Sequence, residues 1–328
     1  MSKRTISGDE SIAYGALLAG IRVATSYPGS PSSGTMQTLF ALADAHGIHV
    51  EWSTNEKVAF ETSVGASIGG VPALMACKGV GFNVALDPIM VANLTDVGTG
   101  LVILLGDDPG AWASQNDQDT RPIAAGTELP MMEPATPQEG VDMTVAAFEL
   151  SKNMQMPVIL RITKSFGIMK REVDLADLPK PTTLTGHTFA REAMRWISVP
   201  TNAVELHRRL HKRVASVADR FEEISFNCIA GSGSRGIIAG GYAYTKLMDV
   251  IDDLDKGSWR VLKLGTLAPL PKQTITAFMR SVDEVLVLEE NEPFIETQIK
   301  AIAYDARLQT PVHGKQDRMV SREGELFR

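Results

Sequence analysis

Glu56 is the residue in this 328-residue sequence best suited to acid–base work. It stands at the start of a predicted helix and is followed by Val58, Ala59 and Phe60. Such an apolar setting strips water from a carboxyl, favours its protonated form and lets it share a proton with a ligand nitrogen. The same residue closes the pattern Ser53-x-x-Glu56, which also reads as a capping box in which the carboxylate only accepts a backbone N–H. A second group of polar atoms lies in Tyr27-Pro-Gly-Ser-Pro-Ser-Ser33, between a predicted strand and a predicted helix, at the sheet edge where open α/β folds bind ligands. Ser30 reads as the N-terminal cap of that helix as well. Lys78-Gly-Val-Gly81 is a glycine-rich turn after a strand, without the GxGxxG spacing of a dinucleotide site. Gly231-Ser-Gly-Ser-Arg-Gly236 precedes its strand, so no helix N-terminus is available to hold an anion and a turn is expected. Glu289-Glu-Asn-Glu292 ends a strand and reads as a solvated edge or a subunit contact.

These residues need a scaffold, and the hydrophobic pattern supplies one. Helical periodicity covers 9–20, 31–46, 54–69, 84–95 and 137–153, alternating with strand patterns at 22–27, 48–52, 72–78, 101–106 and 157–163. That rhythm predicts a parallel sheet within a first α/β domain over 1–168. Thr136-Pro-Gln-Glu139 opens the last helix with a capping box and a proline at the first helical position. Small residues (Ala59, Ser63, Gly65, Ala66, Ser67, Gly69) fill the helix after Glu56, suited to tight internal packing or to close approach by a partner helix or a cofactor ring. Residues 169–225 turn polar, with Pro179-Lys-Pro181 and a charged helix around Glu205–Arg213, and read as a linker plus a surface helix. A smaller α/β domain follows over 226–328, with strands at Gly236-Ile-Ile-Ala, Arg260-Val-Leu-Lys-Leu and Glu284-Val-Leu-Val-Leu-Glu and helices near 243–254, 271–280 and 293–305.

Composition removes several classes of function. A net charge of −7 with no Lys/Arg block argues against nucleic acid as a ligand, since phosphate contacts need a basic surface. No apolar run of about 18 residues predicts a membrane span, and the start Met-Ser-Lys-Arg-Thr-Ile lacks an apolar leader, so a cytoplasmic location is expected. Cys77 and Cys228 are too few to ligate an ordinary iron–sulfur cluster.

Four segments in order resemble the α subunit of indolepyruvate:ferredoxin oxidoreductase and, more distantly, the pyruvate and 2-oxoglutarate enzymes of the 2-oxoacid:ferredoxin oxidoreductase superfamily. They are Tyr27–Ser33, Val50-Glu-Trp-Ser-Thr-Asn-Glu-Lys57, Gly106-Asp-Asp-Pro-Gly110 with Ser114-Gln-Asn-Asp-Gln-Asp119, and Leu262-Lys-Leu-Gly-Thr-Leu267 leading into Glu289-Glu290. The similarity runs over about residues 6–326. It implies a thiamine pyrimidine-binding domain with a parallel sheet, followed by a smaller transketolase C-terminal-like α/β domain.

The resemblance also implies roles. Glu56 matches the glutamate that hydrogen-bonds N1′ of the aminopyrimidine and favours the imino tautomer whose N4′ removes the C2 proton. Tyr27, Pro28 and Lys78 fall where the family contacts the cofactor, and Ser30 replaces a Thr that contacts the substrate carboxylate, keeping the hydroxyl. Pyruvate-type relatives carry an Arg just before the Gln-Asp segment; here Asp107-Asp-Pro-Gly-Ala-Trp112-Ala-Ser-Gln115 has no base, so Trp112, Gln115 and Asn116 point to an aromatic substrate, with Trp112 equally suited to a core. No Gly-Asp-Gly motif with a downstream Asn occurs to hold Mg²⁺. The implied complex therefore shares thiamine diphosphate with a partner subunit carrying the diphosphate-binding domain and Mg²⁺, adds a gamma-type subunit and a ferredoxin-like subunit with 4Fe–4S clusters, and uses coenzyme A as co-substrate. The expected reaction is oxidative decarboxylation of indolepyruvate or phenylpyruvate to an acyl-CoA with electrons to ferredoxin. A phenylglyoxylate-type complex reducing NAD through flavin subunits, and a non-catalytic scaffold, are the alternatives.

Overall fold

Three consecutive apolar segments, Ala-Leu-Met-Ala-Cys, Leu-Val-Ile-Leu-Leu and Val-Ile-Leu, are buried throughout, which a strand can be only when both faces of its sheet are covered. The computed structural model describes residues 2–180, 189, 191–251 and 257–326. Along the chain these form β1 (Ser2–Ser7), α1 (Gly8–Leu18), β2 (Val23–Ser26), α2 (Ser33–His46), β3 (His49–Trp52), α3 (Glu56–Ile68), β4 (Ala73–Lys78), α4 (Gly79–Ala92), β5 (Leu101–Asp107), α5 (Arg121–Gly126), β6 (Met131–Met132), α6 (Pro137–Met154), β7 (Val158–Thr163), α7 (Lys164–Ile168) and β8 (Lys170–Leu175). There follow α8 (Ala193–Trp196), α9 (Pro200–Glu223), β9 (Cys228–Gly231), β10 (Arg235–Gly240), α10 (Gly241–Val250), β11 (Trp259–Leu264), β12 (Thr266–Ala268), α11 (Lys272–Met279), β13 (Glu284–Leu288), α12 (Phe294–Asp305) and β14 (Val312–His313). Residue 181 and the end of the helix expected at 243–254 lie outside the described residues.

The larger sheet has the order β12-β6-β7-β5-β4-β2-β3 and is parallel except for β12. α1 packs with α2 and α6, and α3 with α4; right-handed crossovers place these two groups on opposite faces. The smaller sheet, β14-β13-β10-β11-β9, is parallel except for its edge strand β9. β12 belongs to the second half of the chain in sequence yet completes the first sheet, pairing antiparallel with β6. The charged helix expected near 205–213 is α9. Leu206, Leu210, Val217 and Phe221 on one face are buried, while Arg195, Arg209 and Arg213 converge on Asp96.

Three further elements depart from the sequence expectation. β1 and β8 form an antiparallel pair where no strands were expected; Ser-Lys-Arg-Thr is exposed, and only Ile6 joins Val141, Val173 and Leu175, so the segment carries almost no hydrophobic signal. α4 begins at Gly79, five residues earlier than its periodicity suggests, because glycines that look like helix breakers sit where neighbouring side chains leave no room for a Cβ.

Asp9, in the first turn of α1, is enclosed by α2 and α7: a Cβ on Gly34 or Gly167 would meet its carboxylate at 2.1 and 2.9 Å. Oδ1 is buried with no hydrogen-bond partner. Burial, with the charge of Glu10 adding and a Thr35 hydrogen bond opposing, raises its pKa from 3.8 to about 7. The folded state thus holds this proton where the unfolded chain has lost it, so the stabilisation is complete below about pH 4 and disappears as pH rises through 7. The slope is at most about 1.4 kcal/mol per pH unit. Urea unfolding at pH 5 and pH 8 should show Asp9→Asn losing less stability than the wild type across that interval; equal losses would remove Asp9 as the cause.

Candidate functional site

β2 and β4 are parallel neighbours, and the chain leaves them in opposite directions, from β2 outward to β3 and from β4 toward β5. Loops at the carboxyl ends of such strands diverge and leave a crevice. The loop Tyr27–Pro31 lies on one side of it and the Lys78–Gly81 turn on the other; Glu56 and the Asp107–Thr120 segment complete the surround.

Glu56 is the first residue of α3 and is 8% exposed. The helix is capped by Asn55, whose extended backbone lets its side chain accept from Val58 N at 2.9 Å. The Ser53–Glu56 capping box is therefore not formed: Ser53 donates its hydroxyl to Glu51 at 3.0 Å instead. Freed from capping, the Glu56 carboxylate lies over Gly81, where a Cβ would come within 2.3 Å of Oε1. Among the described residues no group makes a hydrogen bond or ion pair with it. Behind it, burial first and the charges of Glu56 and Asp107 next push the Cys77 thiol far up, so Cys77 stays protonated.

The 27–33 loop is held by its own atoms. Ser32 and Ser33 donate to Gly29 O at 3.0 and 2.9 Å, and Gly29 N donates back to Ser33 Oγ at 3.0 Å. Helix α2 begins at Ser33 with Ser32 as its cap residue and no side-chain cap bond, so Ser30 does not cap it. Ser30, Tyr27 and Pro28 are exposed. The Lys78 side chain runs against Gly29, 3.0 Å from a Cβ built there, and Nζ donates to Gln115 Oε1 at 3.3 Å. Asn116 donates to Gln118 at 3.3 Å, and Gln118 binds Gly79 O, Asn83 and Thr120. The fold thus gathers the 27–33 loop, Lys78, Gln115 and Asn116 around the ends of β2 and β4. Trp112, 59% exposed, donates Nε1–H to Glu325 at 2.7 Å. It lines a cavity of about 730 Å³ with Lys246, Leu247, Val250, Leu288 and Met319.

Several residues under this site escaped the sequence reading. Asp107 accepts from Thr120 Oγ and N at 2.6 and 3.1 Å and from Arg161 at 2.9 Å, and Arg161 also donates to Glu133 at 2.6 Å. Gly79 is required there, since a Cβ would fall 2.3 Å from Thr120 Oγ. Glu289 and Glu290 are 2% and 5% exposed, which overturns the reading of a solvated edge or subunit contact. Glu289 accepts from Arg121 at 2.8 Å, and Arg121 also donates to Asp119 at 2.7 Å and to the carbonyls of Glu290 and Glu292. Burial alone would raise Asp119, but Arg121 more than offsets it and holds this carboxyl below its usual range. For Glu289 burial prevails and the pKa goes up despite Arg121. The available signal was Arg121 itself, a cation beside the Gln-Asp segment; Asp119 is near it in sequence, but its second carboxylate, Glu289, stands 168 residues away.

Gly81→Ala should drive the Glu56 carboxylate from its place. Because the methyl would strike the end of a movable side chain, we expect a small loss of stability, within about 1 kcal/mol, and a large loss of cofactor-dependent activity. Thermal melts beside turnover in the assembled enzyme check this; wild-type turnover would separate Gly81 from the chemistry.

A family model described as pyruvate flavodoxin/ferredoxin oxidoreductase, thiamine diphosphate-binding, matches residues 14–215, and one described as indolepyruvate oxidoreductase domain matches residues 230–328. The chain is 39% identical over 314 residues to indolepyruvate oxidoreductase subunit IorA of Thermococcus kodakarensis, a match covering 94% of this chain and 48% of the relative. It therefore spans about half the length of that protein. In fold it is similar to 2-oxoglutarate:ferredoxin oxidoreductase from Magnetococcus marinus, solved with 2-oxoglutarate, coenzyme A and succinyl-CoA bound, with a TM-score of 0.73, 14% identity, 95% of this chain and 62% of that one covered. A split-gene transketolase, solved as an inactive β4 tetramer, aligns with a TM-score of 0.58 and 13% identity over 96% of this chain and 89% of that one. The α/β architecture with two mainly parallel sheets is the one expected from the sequence.

Proposed function

The chain belongs to the pyruvate flavodoxin/ferredoxin oxidoreductase, thiamine diphosphate-binding family, and on that premise we propose that it forms the pyrimidine-binding part of a 2-oxoacid:ferredoxin oxidoreductase acting on indolepyruvate or a related aryl 2-oxoacid. One observation carries the reading: a largely enclosed residue, Glu56, whose carboxylate has no hydrogen-bond or ion-pair partner among the described residues and is set over a glycine at the point where the sheet's connections diverge. Its oxygens accept no hydrogen bond from the described residues, so they are free to bind a ligand atom. The residues present suit an aminopyrimidine in this respect, with a proton-sharing carboxyl for which Gly81 leaves room.

Thiamine diphosphate, when bound, supplies the nucleophilic carbon that takes up the 2-oxoacid and releases CO₂. Glu56 would hold a proton at the pyrimidine N1′. The Lys78 ammonium, positioned by Gly29 and Gln115, would attract the substrate carboxylate, with the exposed Ser30 hydroxyl donating beside it. Tyr27 and Pro28 would form the loop surface next to the cofactor. Gln115 and Asn116 offer neutral amides, and Arg121, six residues beyond Gln115, is committed to Asp119 and Glu289. A preference for an aryl group follows from that neutral lining, whereas Trp112 lines the cavity with Lys246, Leu247 and Met319 and binds Glu325. The diphosphate and Mg²⁺ ligands, the iron–sulfur clusters and the handling of coenzyme A would come from outside these 328 residues, in a heteromeric complex.

The test uses the chain assembled with a subunit bearing the Gly-Asp-Gly motif, and follows acceptor reduction with 2-oxoacid and coenzyme A. Turnover should require both parts, and indolepyruvate should exceed pyruvate more than tenfold in kcat/KM, as burying a ring is worth a few kcal/mol. Equal rates with pyruvate would overturn the aryl assignment; absence of thiamine-dependent turnover with any 2-oxoacid would overturn the function.

A further inference from the structure

Far along the chain from these groups, α9 presents two histidines one helical turn apart to a single carboxylate. His207 Nε2 lies 2.9 Å from Glu128 Oε1 and His211 Nε2 lies 3.3 Å from Oε2. The two rings stand 4.4 Å apart between centroids, and the three candidate ligand atoms are all within 4.8 Å of one another. We propose that His207, His211 and Glu128 form a three-ligand site for a zinc-class divalent cation, which would fasten α9 to the turn between α5 and β6.

Four features support this. The donor set, two imidazoles and a carboxylate, is one that zinc takes readily. Bond lengths of about 2.0–2.2 Å around a tetrahedral ion separate its ligand atoms by roughly 3.3–3.5 Å, so the present spacing needs only small side-chain adjustments to receive it. The i,i+4 placement on a helix fixes the two rings on one face without loop reorganisation. The backbone supplies the fourth. Glu128 has φ +60°, in the left-handed region where a long non-glycine side chain costs energy and where Gly or Asn is the usual occupant. From that position Glu128 delivers its carboxylate to the two rings. All three side chains are partly exposed, 49%, 63% and 36%, so an ion can enter and a water can complete its shell.

The ion would join two distant parts of the chain. Glu128 sits between α5, whose first residue is Arg121, and β6, while α9 is held elsewhere by Asp96. The experiment is calorimetric titration of the full chain with zinc in a Cys228→Ser background, which removes the exposed thiol as a competing ligand. We expect one equivalent bound with micromolar or tighter affinity. His207→Asn or His211→Asn should weaken it at least 30-fold, and Glu128→Gln about tenfold. Zinc should raise the Tm of the Cys228→Ser chain and leave that of the His207→Asn/His211→Asn double variant unmoved. Binding weaker than about 100 μM, or binding untouched by the histidine variants, would overturn the site; binding without a rise in Tm would overturn the fastening role.

Discussion

Glu56→Gln, in the assembled enzyme, is expected to slow C2–H exchange of bound thiamine and 2-oxoacid turnover by on the order of 10²-fold or more, while the Tm of the chain stays level or rises. The two halves of that result have one origin. Glu56 has no partner among the described residues and lies over Gly81, so little in the fold depends on its carboxylate, which is left for a ligand. Glutamine has nearly the same shape, removes the charge and cannot share a proton as a carboxyl does. Helix α3 loses nothing, because Asn55 caps it; Asn55→Ala should instead cost about 1 kcal/mol. Deuterium exchange at C2 followed by NMR, with calorimetric melts of the same samples, decides the matter. Normal exchange in the glutamine variant would remove Glu56 from the chemistry, and a clear drop in Tm would show a structural role.

The largest effect on stability is expected from Arg121→Met. Arg121 is 2% exposed and joins Asp119, Glu289 and the carbonyls of Glu290 and Glu292. Methionine has comparable bulk, so packing changes little, but two carboxylates are left in the interior without their cation. Breaking a buried pair in this way costs about 3–5 kcal/mol. Arg121→Lys keeps a charge and loses the planar fork that reaches four acceptors, so an intermediate loss should follow. Urea unfolding with an unchanged m-value gives the measurement; a loss below about 1 kcal/mol for the methionine variant would mean that the network contributes little. Because the same guanidinium holds Asp119 and the end of β13, the variant should also loosen the Gln115–Asp119 segment. Faster amide exchange there, beyond the global effect, would report it.

Local sequence carried much of this protein. The apolar runs of β4, β5 and β7 declare strands covered on both faces, and the strand–helix rhythm placed the loop after β2 at the carboxyl end of the sheet. Glu56 was identifiable as a carboxyl at a helix start, since that depends on a few neighbouring residues only. Which residue capped that helix was not. Ser53 and Asn55 are both good caps by type, and the choice fell to Asn55 once Ser53 bonded Glu51 on the strand side.

The tertiary structure decided what depends on groups distant in the chain. Thr266–Ala268 has no intrinsic reason to leave its own sheet, yet β6 is only two residues long and offers an unpaired edge that it completes. Glu289 and Glu290 look solvated by type, and Arg121 and Lys246 make them interior. A charge pair is formed by position in space, and no periodicity or spacing along the sequence encodes its partner. Glycines 79 and 81 likewise read as breakers until Thr120 and Glu56 are seen where their Cβ atoms would stand. Short-range propensity and burial pattern were thus fixed by the order of residues, whereas long-range pairing and close approach were fixed by folding.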